Sequence, residues 1–169
     1  MRFNTDPSFV GVPALIEQHR KQIADFESWA ANRQWMQFHL NHYDWWAFPI
    51  SFRSSYGKRY TVYEGEIHAM NQQSEFVVRH RRGIELLALS WGWDVHHSDF
   101  IEHPDTDQAW QHWTVRLYKA AWSAQLFSHM DLFESLKTYA LWLMKRGEDF
   151  SYGGHDLSWL FTGGNPPTG

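Results

Sequence analysis

Residues 131–147, DLFESLKTYALWLMKRG, decide the class of fold. Asp131 with Glu134 puts an acceptor at a helix N-cap and a reciprocal partner three residues later. Leu132, Leu136, Tyr139/Ala140 and Leu143 follow at three-and-four spacing, which is one face of a helix. Lys145-Arg146 then place positive charge against the carbonyl end of the dipole, and Gly147 is the stop. The spacing predicts a helix over 132–146. Just upstream, Asp105 with Gln108 repeats the start signal and predicts a helix over 106–128. Trp113, Leu117, Ala120/Ala121, Ala124 and Phe127 lie on its inner face. The short gap between the two predicts an antiparallel hairpin.

Further back, Ser74 predicts the cap of a helix whose buried stripe is Val77, His80, Ile84, Leu87 and Trp91, with Gly92 as its stop. Ile67 and Met70 predict a brief helix. Pro13 suits a first helical turn, followed by Leu15/Ile16, His19, Ile23, Phe26 and Ala30. A turn around Trp35, Phe38 and His42 leads into Asp44-Trp45-Trp46-Ala47-Phe48-Pro49, where the proline discourages helix at Phe48. Ser51 to Tyr60 reads as a polar loop, Tyr60 to Tyr63 as a short extended piece, and Asp94 to Pro104 as a His-rich loop. Residues 151–169 are Gly/Pro-rich apart from Leu157-Ser158-Trp159-Leu160-Phe161, a patch able to dock. No internal repeat or linker is visible. The expectation is an all-α domain over 1–150, a compact bundle of five to six helices, with an irregular C-terminal tail at 151–169.

Composition narrows the function classes. The chain of 169 residues carries eleven Trp, twelve Phe and seven Tyr, and no Cys. Without cysteine there are no disulfides, thiolate nucleophiles or sulfur-ligated metals. A net charge of −4 argues against a dedicated nucleic-acid binder. No apolar run is long enough to span a membrane, and Met1 to Gly11 lacks the apolar stretch of a signal peptide. A cytoplasmic setting fits these features.

Eleven histidines invite a metal reading. A zinc helix of the H-E-x-x-H kind is missing, and His39-x-x-His42 faces no carboxylate-rich helix. Asp94, His96, His97 and His103 gather borderline and hard ligands in one loop, but their spacing matches no closed tetrahedral set. They define an alternative, a metal-assisted enzyme; the leading expectation carries no cofactor. Ser55-Tyr56-Gly57-Lys58 spells S-x-x-K, yet Gly57 sits where a helix should run, so the match is chance. No phosphate-binding glycine loop follows a strand. Glu64 and Glu66 are the best acid–base pair, and helix-start acids look the same. Arg79-His80-Arg81-Arg82 reads as a solvated face, with Glu75–Arg79 and Arg81–Glu85 as i, i+4 pairs.

The aromatic pattern remains. Trp45, Trp46, Phe48, Phe52 and Tyr56 crowd one short non-helical segment, and Trp93 follows a helix-ending glycine. Adjacent Trp45 and Trp46 cannot easily both point into one core, so one ring is available for a ligand or partner.

His42-Tyr43-Asp44-Trp45-Trp46-Ala47-Phe48-Pro49-Ile50 resembles the tryptophan-to-Phe-Pro element of the conserved domain of the opioid growth factor receptor family. Glu66-Ile67-His68-Ala69-Met70 through Glu75-Phe76, then Glu85 to Gly92, then Arg116-Leu117, Ser123 and Leu126-Phe127 are similar to the helices that follow there. The resemblance spans about residues 42–145. It departs at Gln111-His112-Trp113, where the family has an Asn-rich opening. It implies an all-α domain and carries over no catalytic residue.

The functional expectation is a non-catalytic binding or interaction module. Its ligand residues are Trp45, Trp46, Phe48, Phe52, Tyr56 and Trp93. Its partner is a protein or a small apolar or cationic ligand. A metal-assisted enzyme and an oligomerising structural subunit are the alternatives.

Overall fold

Val12–Ala31 forms the first helix, α1, with a proline in its first turn and Leu15, His19, Ile23 and Phe26 on the buried face. That is the stripe the spacing predicts. The computed structural model describes residues 1–168, and among these the chain is mostly helical. After α1 come the single turns α2 (Gln37–Leu40) and α3 (Asp44–Ala47), then α4 (Glu64–Asn71) and α5 (Ser74–Ser90). A two-residue ribbon, β1 (Trp93–Asp94) with β2 (Asp99–Phe100), separates these from α6 (Thr114–Leu126) and α7 (Met130–Lys145). A second ribbon, β3 (Ser151–Tyr152) with β4 (His155–Asp156), leads to the short α8 (Trp159–Thr162).

Two apolar clusters hold the elements together. The larger joins Ile23 and Phe26 of α1 to Phe38, Tyr43 and Phe48, to Leu87 of α5, and to Leu117 and Leu136 of α6 and α7. Each fully buried side chain of this size contributes about 1.5–3 kcal/mol. The smaller contains Leu15, Tyr60, Val62, Met70, Phe76 and Phe127, and Trp46 packs against both. Where α1 crosses α5, Gly83 lets the helices close. A Cβ there would lie 2.6 Å from Ile23 Cδ1.

Three boundaries differ from the sequence expectation. The helix expected over 106–128 starts only at Thr114, because His112 takes a left-handed φ of 66°. The Asp105–Gln108 contact does form, with the Asp105 N–H donating to Gln108 Oε1 at 3.1 Å. It closes an isolated turn, while Gln108 Nε2 donates to the Leu89 carbonyl at the end of α5. Trp113 consequently stands at the helix start with 37% of its surface exposed, outside the core. On α5 the anchor is Phe76, fully buried, with Val77 half-buried beside it. α7 begins two residues early, so Asp131 falls in its first turn and grips Arg81 through two hydrogen bonds of 3.0 and 2.6 Å. The stretch expected as an irregular tail is structured over 151–162. Leu157, Leu160 and Phe161 dock into the larger cluster.

Candidate functional site

Most of the expected aromatic segment comes together, and it does so around a lysine. α3 carries Trp45 and Trp46, and the chain then runs extended through Phe48 and Ile50. At Ser54–Gly57 it reverses in a tight turn, the two residues exchanging backbone hydrogen bonds of 2.9 Å. Gly57 takes φ of 62°, the left-handed conformation that glycine adopts without strain. The turn presents Tyr56, 47% exposed, edge-on to Trp45 with ring centres 4.9 Å apart. Tyr60 sits 5.7 Å from Tyr56 and 5.5 Å from Trp46.

The loop is fixed from two sides. Asn4 Nδ2 donates to the Lys58 and Thr61 carbonyls, both at 2.8 Å. From α6, Arg116 Nε donates to Asp44 at 2.7 Å, and its other nitrogens reach the carbonyls of Phe38 and Asn41. The guanidinium lies over the Tyr43 ring, 4.3 Å from its centre. This buried knot sets the angle of α3 against α6.

Trp45, Phe48, Phe52, Tyr60 and Lys119 line a cleft of about 10 Å³, room for roughly one water molecule. Lys119 Nζ stands 5.1 Å from the centre of the Trp45 ring. Burial pushes its pKa down, the Asp44 carboxylate opposes that shift and Arg116 adds to it. Arg53 lies over Phe52 and Arg59 over Tyr60, two rings of the cleft, at 5.7 and 5.5 Å, while Lys58 stands 5.9 Å from Tyr63, which lines a different pocket. Among the described residues none of these four cations has a carboxylate within 4 Å. Six arginines elsewhere (Arg20, Arg33, Arg79, Arg81, Arg82 and Arg116) are each paired with an acid.

The other expected ligand residues are placed differently. Phe48 is fully buried against Phe26 and Tyr43, and only its edge reaches the cleft. Trp46 is half-buried and donates its indole N–H to Gln22 at 2.9 Å, tying α3 to α1. Trp93 does not join the group. It is buried against Tyr139, ring centres 4.9 Å apart, and donates to Ser135. Tyr60 and Lys119 lie outside the set of residues the sequence singles out. The alternating aromatic and basic residues of Phe52 to Tyr60 were the available signal for the arginines at the cleft.

The His-rich loop does not assemble a site. It is the turn of the first ribbon, with Asp94 accepting from the backbone N–H groups of His96 and His97. His97 also pairs with Asp94, His96 pairs with Glu85, and His103 lies on a separate face with Arg33 and Trp35. Among the described residues no group of three His, Cys, Asp or Glu is placed to hold a metal ion. Glu66 is a buried cap, accepting the N–H groups of Tyr63 and Asn4, while Glu64 is exposed. The Ser55–Lys58 match falls within the Tyr56 turn. Arg79 pairs with Glu75 as expected, but Arg81 reaches Asp131 rather than Glu85.

Sequence spacing gave no hint of a row of imidazoles in the core. His19 of α1, His80 of α5 and His129 before α7 lie with ring centres 5.8 and 5.0 Å apart, in contact with Phe76 and Phe127. His80 Nε2 meets the Ser123 hydroxyl at 2.8 Å. Burial holds His19 at a pKa of about 3 and His129 at about 4, with nearby arginines adding to the shift. His80 is held well below the ordinary histidine value by burial and then by its two histidine neighbours. The row is neutral at ordinary pH.

No protein-family model matches this chain, and no curated protein or solved structure does. No helix among the described residues is long and apolar enough to cross a membrane.

Proposed function

We propose that this protein is a non-catalytic binding module, an all-α bundle in class, whose recognition face is the Trp45–Tyr60 segment together with Lys119. One observation supports the reading above the rest. In a chain of net charge −4, Lys119, Arg53 and Arg59 lie over Trp45, Phe52 and Tyr60, three rings that line one cleft, and among the described residues none of the three has a carboxylate within 4 Å. Exposed rings alone would be ordinary surface. Cations held in place by rings, around a cleft, are a preorganised surface for a partner. Trp45, Phe52 and Tyr56 supply contact area, Lys119 and Arg59 supply charge, and Trp46 and Phe48 hold the segment in shape. The rings already carry the chain's own cations, which turns the expectation away from a cationic ligand.

The resemblance to the opioid growth factor receptor domain is part of the same proposal; it rests on the order of the segments, two of which meet here where Arg116 bonds to Asp44.

The test is affinity enrichment with the intact chain and with the double variant Tyr56→Ala, Arg59→Ala. Both residues are exposed, so the melting temperature should stay within about 2 °C. The double variant should lose whatever the intact chain retains specifically. An unchanged set of retained molecules would remove this face as the site.

A further inference from the structure

Resting on that reading, we infer that the face recognises an acidic segment of a partner protein, one carboxylate pairing with Lys119 at the mouth of the cleft. The Lys119 ammonium is drawn into an aromatic cleft in the free protein, so part of its desolvation cost is met before a partner arrives. Among the described residues it has no hydrogen-bond acceptor and no carboxylate within 4 Å. Asp44, the nearest acid acting on it, is already held by Arg116. A carboxylate is the group that would satisfy such an ammonium.

The size of the cleft selects the occupant. With about 10 Å³ of enclosed space the cleft is too small for a whole cofactor or drug-sized ligand, whose sites run to about 300–1,000 Å³. A carboxylate on a side chain can meet the ammonium at the mouth of the cleft while the rest of its chain stays outside. Arg53 and Arg59 lie over Phe52 and Tyr60, two rings of the cleft, and Tyr56 between them in sequence is exposed. The two arginines fit further acids along the same segment.

Single-stranded nucleic acid would also meet positive charge, but it binds by stacking bases on open aromatic faces. Here cations lie over one face each of Trp45, Phe52 and Tyr60, and Tyr56 is edge-on to both Trp45 and Tyr60. That leaves little face for a base.

Three probes are added to the intact protein at up to millimolar concentration while indole N–H resonances are followed. They are a short capped peptide alternating glutamate and leucine, the same peptide with glutamine for glutamate, and oligouridylate. The acidic peptide should bind at least about tenfold tighter than its neutral twin and move the Trp45 indole signal. Lys119→Met, which keeps the stem in its apolar surroundings, should weaken it by about tenfold or more, and Lys119→Arg should restore part of the loss. Equal binding of the neutral peptide at the same resonances would overturn the acidic class and leave the face standing. Undiminished binding by Lys119→Met would overturn the role given to Lys119. Tighter binding of oligouridylate would point to nucleic acid instead. No response to any probe would take down the face itself.

Discussion

Arg116 illustrates how much one side chain can organise. It is buried, and its nitrogens bond to Asp44, to the Phe38 carbonyl and to the Asn41 carbonyl. Tyr43 donates its hydroxyl to the same Phe38 carbonyl. Arg116→Met leaves the Asp44 carboxylate and the Asn41 carbonyl without this donor inside the protein, while the Phe38 carbonyl keeps Tyr43. It should cost about 3–5 kcal/mol, read as a lower urea midpoint at unchanged slope. Nothing in the sequence around Arg116 announces this, because its carbonyl partners are 78 and 75 residues away. Lys119 was hidden for the same reason. Trp45 and Tyr56 could be grouped from a local run of rings, whereas the lysine between them arrives from α6, and only the packing of α3 on α6 brings it there.

At the scale of elements, apolar periodicity located α1, α5 and α7 well, since each buries one continuous stripe. Capping signals were less faithful. Asp105 and Gln108 make their expected contact, yet the carboxylate is taken by Arg33 and by the Trp35 indole, and no helix follows. A cap needs only a turn to satisfy it. The second ribbon has a local signal: Gly153-Gly154 both take positive φ, as a two-residue hairpin loop requires. Gly92 is the clearest punctuation. Its φ is 77°, and a Cβ would stand 3.1 Å from the Gln108 carbonyl oxygen. Gly92→Ala should therefore cost about 1–3 kcal/mol, seen in the same urea measurement, with α5 keeping its helical circular-dichroism signal.

For the whole molecule, the imidazole row, together with His39, which burial holds at a pKa of about 4, weakens the fold in acid. His19, His80 and His129 are neutral in the fold with depressed pKa values, so the unfolded chain binds more protons as pH falls. Stability should then decline from about pH 6.5 down toward the folded values near 3–4. Arg79 and Arg81 act on the row, and Asp131, the acid on its side, is committed to Arg81. A proton placed there finds no free counter-charge. His19 has no well-formed partner at either ring nitrogen; the Ala47 carbonyl offers the cation only partial support. Replacing it by an apolar residue removes an orphaned polar group as well as a titration. His19→Leu should gain more stability relative to the parent at pH 5.5 than at pH 7.5. An identical difference at both values, from urea unfolding, would mean that His19 does not titrate on unfolding. His80 was legible as a core residue from its stripe, but three helices had to meet before it had histidine neighbours.

The C-terminal ribbon and α8 have a consequence for synthesis. Phe150, Leu157, Leu160 and Phe161 are part of the larger cluster, and Trp159 lies against Tyr118 and Trp122 of α6. A ribosome that has translated α7 but not α8 holds a chain whose longest helices are complete and whose inner face is still bare. Until residues 150–161 join the larger cluster the surfaces they cover stay bare, so a chain that has α7 but not α8 exposes apolar surface to chaperones and to neighbouring chains.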